Sequence, residues 1–222
     1  MNLVKTNFPL IILSLIPLSF VIGPFLTELF INFFIIFFLI EIFKKKEFSF
    51  LKNNIFIYFF IFYLFLIFSH LNSEYVHQNS LNVFSYIRFI ILPFAIFFIL
   101  DKNQYNLKIC YLILSITIFI VVADGIYQFF FDKNIIGFQK YRLDRISGFF
   151  KDDLVLGSYV MRLLPLLIGL TLFFKDEFKL NFLNVILIFL SLILIIFSGE
   201  RASFFMIMIA LTLIFFYINL SL

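Results

Sequence analysis

Tryptophan is absent from this chain, and cysteine occurs once, at Cys110. A single thiol excludes an internal disulfide and any cysteine metal cluster. Cys110 lies in an apolar run and reads as a packing residue. Charge is scarce too: charged residues make up 14% of the chain, against about 25% in soluble domains. Alternation of apolar and polar residues is missing, which argues against a membrane barrel. No soluble basic face exists, so nucleic acid is not an expected partner. Histidine occurs twice, as His70 and His77. Both fall in one polar stretch and read as loop residues, although a loop histidine has a pKa suited to general-base work.

What the chain has is hydrocarbon. Of its 222 residues, 64% are hydrophobic and 39 are Phe, and its mean hydropathy is +1.12. One globule cannot hide that much Phe, Leu and Ile. Lipid is the solvent that fits, so the expected fold is all-α, a polytopic transmembrane helix bundle. Each span must satisfy its own backbone, which in these all-round apolar runs means helix. The Phe excess, beside many Ile, Asn and Lys, fits an AT-rich coding sequence and carries little functional weight. Tyrosine, 10 residues, has to supply the interfacial belt that Trp usually shares.

A bilayer core takes about 20 helical residues, and on that ruler the chain holds about eight spans. They are expected at 8–22, 25–43, 55–69, 81–100, 107–131, 154–174, 182–197 and 204–220. The first is read as uncleaved: Lys5 precedes an apolar stretch, but no A-x-A-like site follows. Gly23-Pro24 breaks the first span from the second, since proline cannot continue the backbone ladder and glycine permits a tight turn. Glu28, just past that break, reads as a residue at the membrane rim. The whole of 1–222 is expected to be a single membrane domain.

Lysine and arginine in short loops set orientation. With the N-terminus cytoplasmic, the inner side holds lysine alone, for instance Lys44, Lys45, Lys46 and Lys52. The first two outer loops, 23–24 and 70–80, carry no Lys or Arg. The third, 132–153, breaks the rule with Lys133, Lys140, Arg142, Arg145 and Lys151. Every arginine of the chain (Arg88, Arg142, Arg145, Arg162, Arg201) falls in that loop, at the outer end of a span, or in its outer half.

Arg142 to Arg162, RLDRISGFFKDDLVLGSYVMR, is the densest charged segment, and it carries Arg162 into an apolar span. An arginine at mid-helix costs about 2.5–3.5 kcal/mol on insertion scales, and such residues normally face a cavity or a partner. The plain alternative is snorkelling with ion pairs, Arg201 to Glu200 or Arg162 to Asp124. Guanidinium is planar, permanently charged and bidentate toward phosphate. Several at one depth therefore point to a diphosphate headgroup whose lipid tail lies among the helices. Ser147-Gly148 and Ser198-Gly199 stand beside the arginines, either for backbone approach to a ligand or as ordinary turns. Asp152-Asp153 reads as an N-cap for the sixth span; one loop offers no further close carboxylates for a metal. Asp124, Tyr127 and Gln128 share one helix face by i, i+3, i+4 spacing. They line either a saccharide groove or the bundle.

Four segments carry a family resemblance: GIYQFF (125–130), R-x-x-G-F-F (145–150), L-G-S-Y-V-x-x-L-L-P (156–165) and S-G-E-R-A-S (198–203). In this order and spacing they resemble the O-antigen ligase and O-antigen polymerase superfamily. The resemblance implies a membrane glycosyltransferase that takes a glycan from undecaprenyl diphosphate on the periplasmic face of the bacterial inner membrane. The acceptor it implies is lipid A core or another glycan. Arginines near the outer surface bind the carrier diphosphate in that family. Carried over by position, Arg145, Arg162 and Arg201 take that part, with Arg88 and Arg142 beside them. No cofactor or metal is implied. Family members have further spans and a large periplasmic loop bearing a histidine thought to act in transfer, and neither His70 nor His77 lies in the matching region. Glu200 stands where a small or hydroxyl residue is more usual, and Asp152-Asp153 where Pro-Asn is common. The match is therefore to the N-terminal part of such a protein, or to a truncated, inactive member. Two other classes remain as expectations: a transporter or flippase for an anionic lipid or sugar, which would show internal repeats that are not evident here, and an inactive membrane subunit.

Overall fold

The computed structural model describes residues 2–72, 83–102, 107–141, 145–174 and 178–221. Arg142, Asp144 and His77 lie outside them. Eight long helices run through the described residues. They are α1 (Asn2–Ile22), α2 (Pro24–Lys45), α3 (Asn54–Leu71), α4 (Ile87–Lys102), α5 (Leu107–Phe131), α6 (Leu156–Phe173), α7 (Phe178–Phe197) and α8 (Arg201–Ser221). No strand occurs among the described residues, and Lys133 forms an isolated bridge with Gln139. The protein is an all-α, membrane-embedded helical chain. Among the described residues six helical segments are long and apolar enough to cross a bilayer, and Phe8–Ile22 and Asn181–Phe197 are shorter apolar stretches.

Boundaries follow local chemistry. Gly23 takes a φ of +155°, and its N–H closes on Ser19 O (2.9 Å). Pro24 then opens α2, where a missing N–H costs nothing because the first turn has no intrahelical partner for it. Asn53 caps α3 by accepting from Ile55 N (2.9 Å).

The chain divides into two compact units, Met1–Ile16 with Pro24–Leu107, and Pro17–Gly23 with Lys108–Leu222. In the first, α2 buries Phe34, Phe38 and Ile42, and α4 buries Ala95 and Ile99. Tyr63 of α3 donates to Phe84 O (3.0 Å). Rings interlock at its core: Phe38 stands edge-on to Phe98, centroids 5.4 Å apart.

The second unit is built on a seam along α5. Tyr111, Leu114, Ile118 and Val121 recur every three or four residues, all buried, which is the spacing that keeps one stripe of a helix facing its neighbours. Leu156, Val160, Leu164 and Leu167 of α6 and Leu194 and Ile195 of α7 complete the core. At one end of the seam the Tyr111 hydroxyl donates to Asn181 Oδ1 (2.8 Å) and lies 3.1 Å from Thr171 Oγ1. At the other end stand Asp124, Gly125 and Gln128, where the loop after α5 arrives.

Candidate functional site

The loop after α5 is folded onto the helix that precedes it. Asn134 organises its turn: the Asn134 Oδ1 accepts from Gly137 N (2.9 Å) and Phe138 N (2.7 Å). Asn134 Nδ2 donates to Gly148 O (3.2 Å). From α5, Gln128 Oε1 accepts from both Ser147 N (2.9 Å) and Gly148 N (2.7 Å). Asp124 Oδ1 accepts from Ile135 N (2.9 Å). Asp124 and Gln128 are both 0% exposed. Of the two readings the spacing leaves open, lining the bundle is the one these two residues follow: they latch the loop and offer no open groove. Tyr127, on the same face, is half-buried and packs on Phe131, centroids 4.5 Å apart.

Gly148 makes the close approach possible. It has a φ of +56°, and a Cβ there would lie 3.1 Å from Asp124 Oδ2 and 3.4 Å from Leu156 Cδ1. The loop therefore packs directly on the first turn of α6. Arg145 enters this segment two residues ahead of Ser147 and is half-buried.

The start of α6 is held from elsewhere in the chain. Asp152-Asp153 is not its cap: both are exposed, the N-cap position is Val155, and no side chain of that residue caps the helix. The Glu200 carboxylate takes the role. It accepts from Gly157 N (2.6 Å), Ser158 N (2.9 Å), the Ser158 hydroxyl and the Ser203 hydroxyl (2.8 Å). An anion at a helix N-terminus meets free N–H groups and the positive end of the helix dipole. Gly157 permits the fit, since a Cβ there would lie 3.0 Å from Glu200 Oε1.

These contacts gather three segments around Leu156–Ser158: the 145–150 loop, the first turns of α6, and the 198–203 turn. Each carries one of the predicted arginines. Arg162 lies four residues beyond Ser158, so it shares the face of α6 that Glu200 grips, about 6 Å further along the axis. Arg201 adjoins Glu200 and opens α8. Arg162 and Arg201 are both exposed. Neither of the ion pairs that the sequence offers as the plain alternative forms. Asp124 is bonded to the loop and Glu200 to α6, and Arg145, Arg162 and Arg201 have no salt bridge among the described residues. Arg201 borders an open recess of about 550 Å³ walled by Ile195, Ile196, Gly199, Glu200, Phe204 and Phe205. No protein-family model, no curated protein and no solved structure matches this chain.

Arg88 belongs to the other unit. The helix is interrupted at Tyr86, so Arg88 stands in the first turn of α4, within the span-length segment Val83–Asp101. It forms an ion pair with Glu28 of α2, and its guanidinium lies 4.9 Å from the Phe89 ring centroid. Its charge is met. Among the described residues no three His, Cys, Asp or Glu side chains are grouped to hold a metal ion.

The residues that sequence reasoning passed over are Asn134, Ser158 and Ser203, and Glu200 appeared there as a departure or as an ion-pair partner. Ser203 three residues after Glu200 is the one local signal, a turn-opening spacing that puts hydroxyl and carboxylate together. Arg201 stands with Glu200 at the edge of the recess, and among the described residues Arg145, Arg162 and Arg201 form no ion pair. Their chemistry suits them to hold an amphiphile with an anionic head.

Proposed function

We propose that the protein is a membrane glycosyltransferase of the O-antigen ligase and polymerase type. It takes a glycan from undecaprenyl diphosphate at the periplasmic face of the bacterial inner membrane and joins it to lipid A core or to another glycan. The observation that carries this reading is the convergence of the Arg145, Arg162 and Arg201 segments on the start of α6, with the nearby acids Asp124 and Glu200 engaged in other bonds. Guanidinium groups grip diphosphate bidentately, and the apolar recess beside Arg201 suits the carrier tail.

An acceptor hydroxyl oxygen attacks the sugar C1, and the C1–O bond to phosphate breaks. The carrier diphosphate leaves with the bonding electrons, and the hydroxyl proton passes to it. Charge grows on the diphosphate as that bond stretches, and fixed cations lower the barrier by meeting charge where it develops.

The test places the purified chain in proteoliposomes with glycan-loaded undecaprenyl diphosphate and an acceptor. Arg162→Ala and Arg201→Ala each lower transfer by about 10²–10³-fold, the cost of deleting one fixed donor to a developing charge. Arg88→Ala, whose partner is Glu28, leaves carrier binding in place. Equal transfer by wild type and both variants defeats the site. Movement of labelled carrier across the bilayer with no new glycosidic bond defeats the reaction and favours a flippase.

A further inference from the structure

Helix α2, long and apolar enough to cross a bilayer, carries a polar residue, Asn32, on an exposed face near its middle. Asn32 lies eight residues after Pro24 and twelve before Lys44, so it sits about 12 Å from one end of the helix and about 18 Å from the lysines at the other. Its side chain is exposed and has no hydrogen-bond partner among the described residues. Lipid tails offer an amide nothing, and asparagine is too short to snorkel to the interface as lysine and arginine do. Polar side chains at this depth ordinarily face another helix.

The residues around it form a stripe of their own. Phe25, Leu29, Asn32, Ile36, Leu39 and Phe43 follow one another at spacings of four and three, the repeat that makes a straight seam on a helix meeting a parallel partner. Phe25, Asn32, Ile36 and Phe43 are exposed and Leu29 and Leu39 half-buried. A recess of about 310 Å³ opens on this face between Phe25 and Ile36. An amide both donates and accepts, so it is complementary to itself. A two-fold axis sets each residue of such a seam against its own copy, and a single asparagine in it selects the pair and fixes the register. Two of the charges flanking the stripe are paired within the chain, Glu28 with Arg88 and Lys45 with Glu41 at 2.7 Å, and Lys44 stands exposed at the end of the helix.

We propose that α2 is a dimerisation helix, and that its occupant is a second copy of this chain, in parallel, with the two Asn32 amides hydrogen-bonded across the axis. Copies in one membrane share an orientation, so the parallel arrangement follows.

The experiment counts photobleaching steps of singly labelled chain in dilute proteoliposomes. Wild type bleaches in two steps. Asn32→Leu raises the dissociation constant by about tenfold, the worth of two interhelical hydrogen bonds in a membrane, and Asn32→Gln, which keeps an amide, recovers part of it. In a Cys110→Ser background, Ile36→Cys cross-links two copies and Phe62→Cys, exposed on α3, does not. Single-step bleaching of wild type, with lipid or another protein covering the amide instead, overturns the proposal. So does an Asn32→Leu chain as dimeric as wild type, or cross-linking at Phe62→Cys with none at Ile36→Cys.

Discussion

At the scale of single residues, Glu200 has the most to lose. Its carboxylate serves two backbone N–H groups and two hydroxyls, and hydrogen bonds to a charged group contribute about 1.5–3 kcal/mol each, with little additivity inside one cluster. Glu200→Ala is expected to destabilise the folded chain by about 3 kcal/mol, and Glu200→Gln by about 1, because the amide oxygen still accepts. Unfolding titrations in mixed micelles measure this; an alanine variant as stable as wild type refutes the cap. The glycines of α6 make a paired prediction of opposite sign. Gly157→Ala drives a methyl group into Ser198 and Glu200, and overpacking of this kind costs about 1–3 kcal/mol. Gly169, on the same helix, has nothing within 4 Å of its would-be Cβ, so Gly169→Ala stabilises by up to about 1 kcal/mol through helix propensity alone. Two substitutions of one type moving the same way would contradict the packing described here.

Between elements, the loop after α5 depends on a single amide. Gln128→Leu leaves Ser147 N–H and Gly148 N–H buried without an acceptor, at about 1–3 kcal/mol for each. The helix itself loses nothing, so the cost appears as local opening. Amide hydrogen exchange over residues 145–150 should quicken by about 10²-fold or more, while that over 111–121 stays as it was. Uniform acceleration would mean that Gln128 supports the whole unit. This loop also marks where the sequence stops being legible. Apolar run length located the helices, because membrane spans obey a length rule and Gly23-Pro24 interrupts any helix. The start of α6 escaped it. Asp152-Asp153 has the local look of a cap, yet the acid that caps α6 arrives from a turn 42 to 43 residues later, and no spacing rule reaches that far. Asp124 and Gln128 were legible as one face, but not as a latch, because the groups they bind are backbone N–H groups with no signature in side-chain identity.

For the molecule as a whole, the distribution of cations carries the argument. Lys44, Lys45 and Lys46 follow one another at the end of α2, and the cations of the 132–153 loop follow α5. Among the described residues three long helices, α3, α4 and α5, separate them. If each crosses the membrane, an odd number of crossings puts the two groups on opposite faces. By the charge rule the lysines of short loops are expected on the cytoplasmic side, which would put the 132–153 loop outside, the face that the proposed reaction requires. The arrangement is open to direct measurement. In a Cys110→Ser background, Gln139→Cys and Lys46→Cys place thiols at exposed positions. A membrane-impermeant maleimide applied to intact spheroplasts should label Gln139→Cys at once, and Lys46→Cys only after the membrane is permeabilised. Labelling of both from the same side means that one of the three helices does not cross. Labelling of Lys46→Cys alone turns the arginines toward the cytoplasm. Either result removes the periplasmic site, whatever the strength of the grip those arginines have on phosphate.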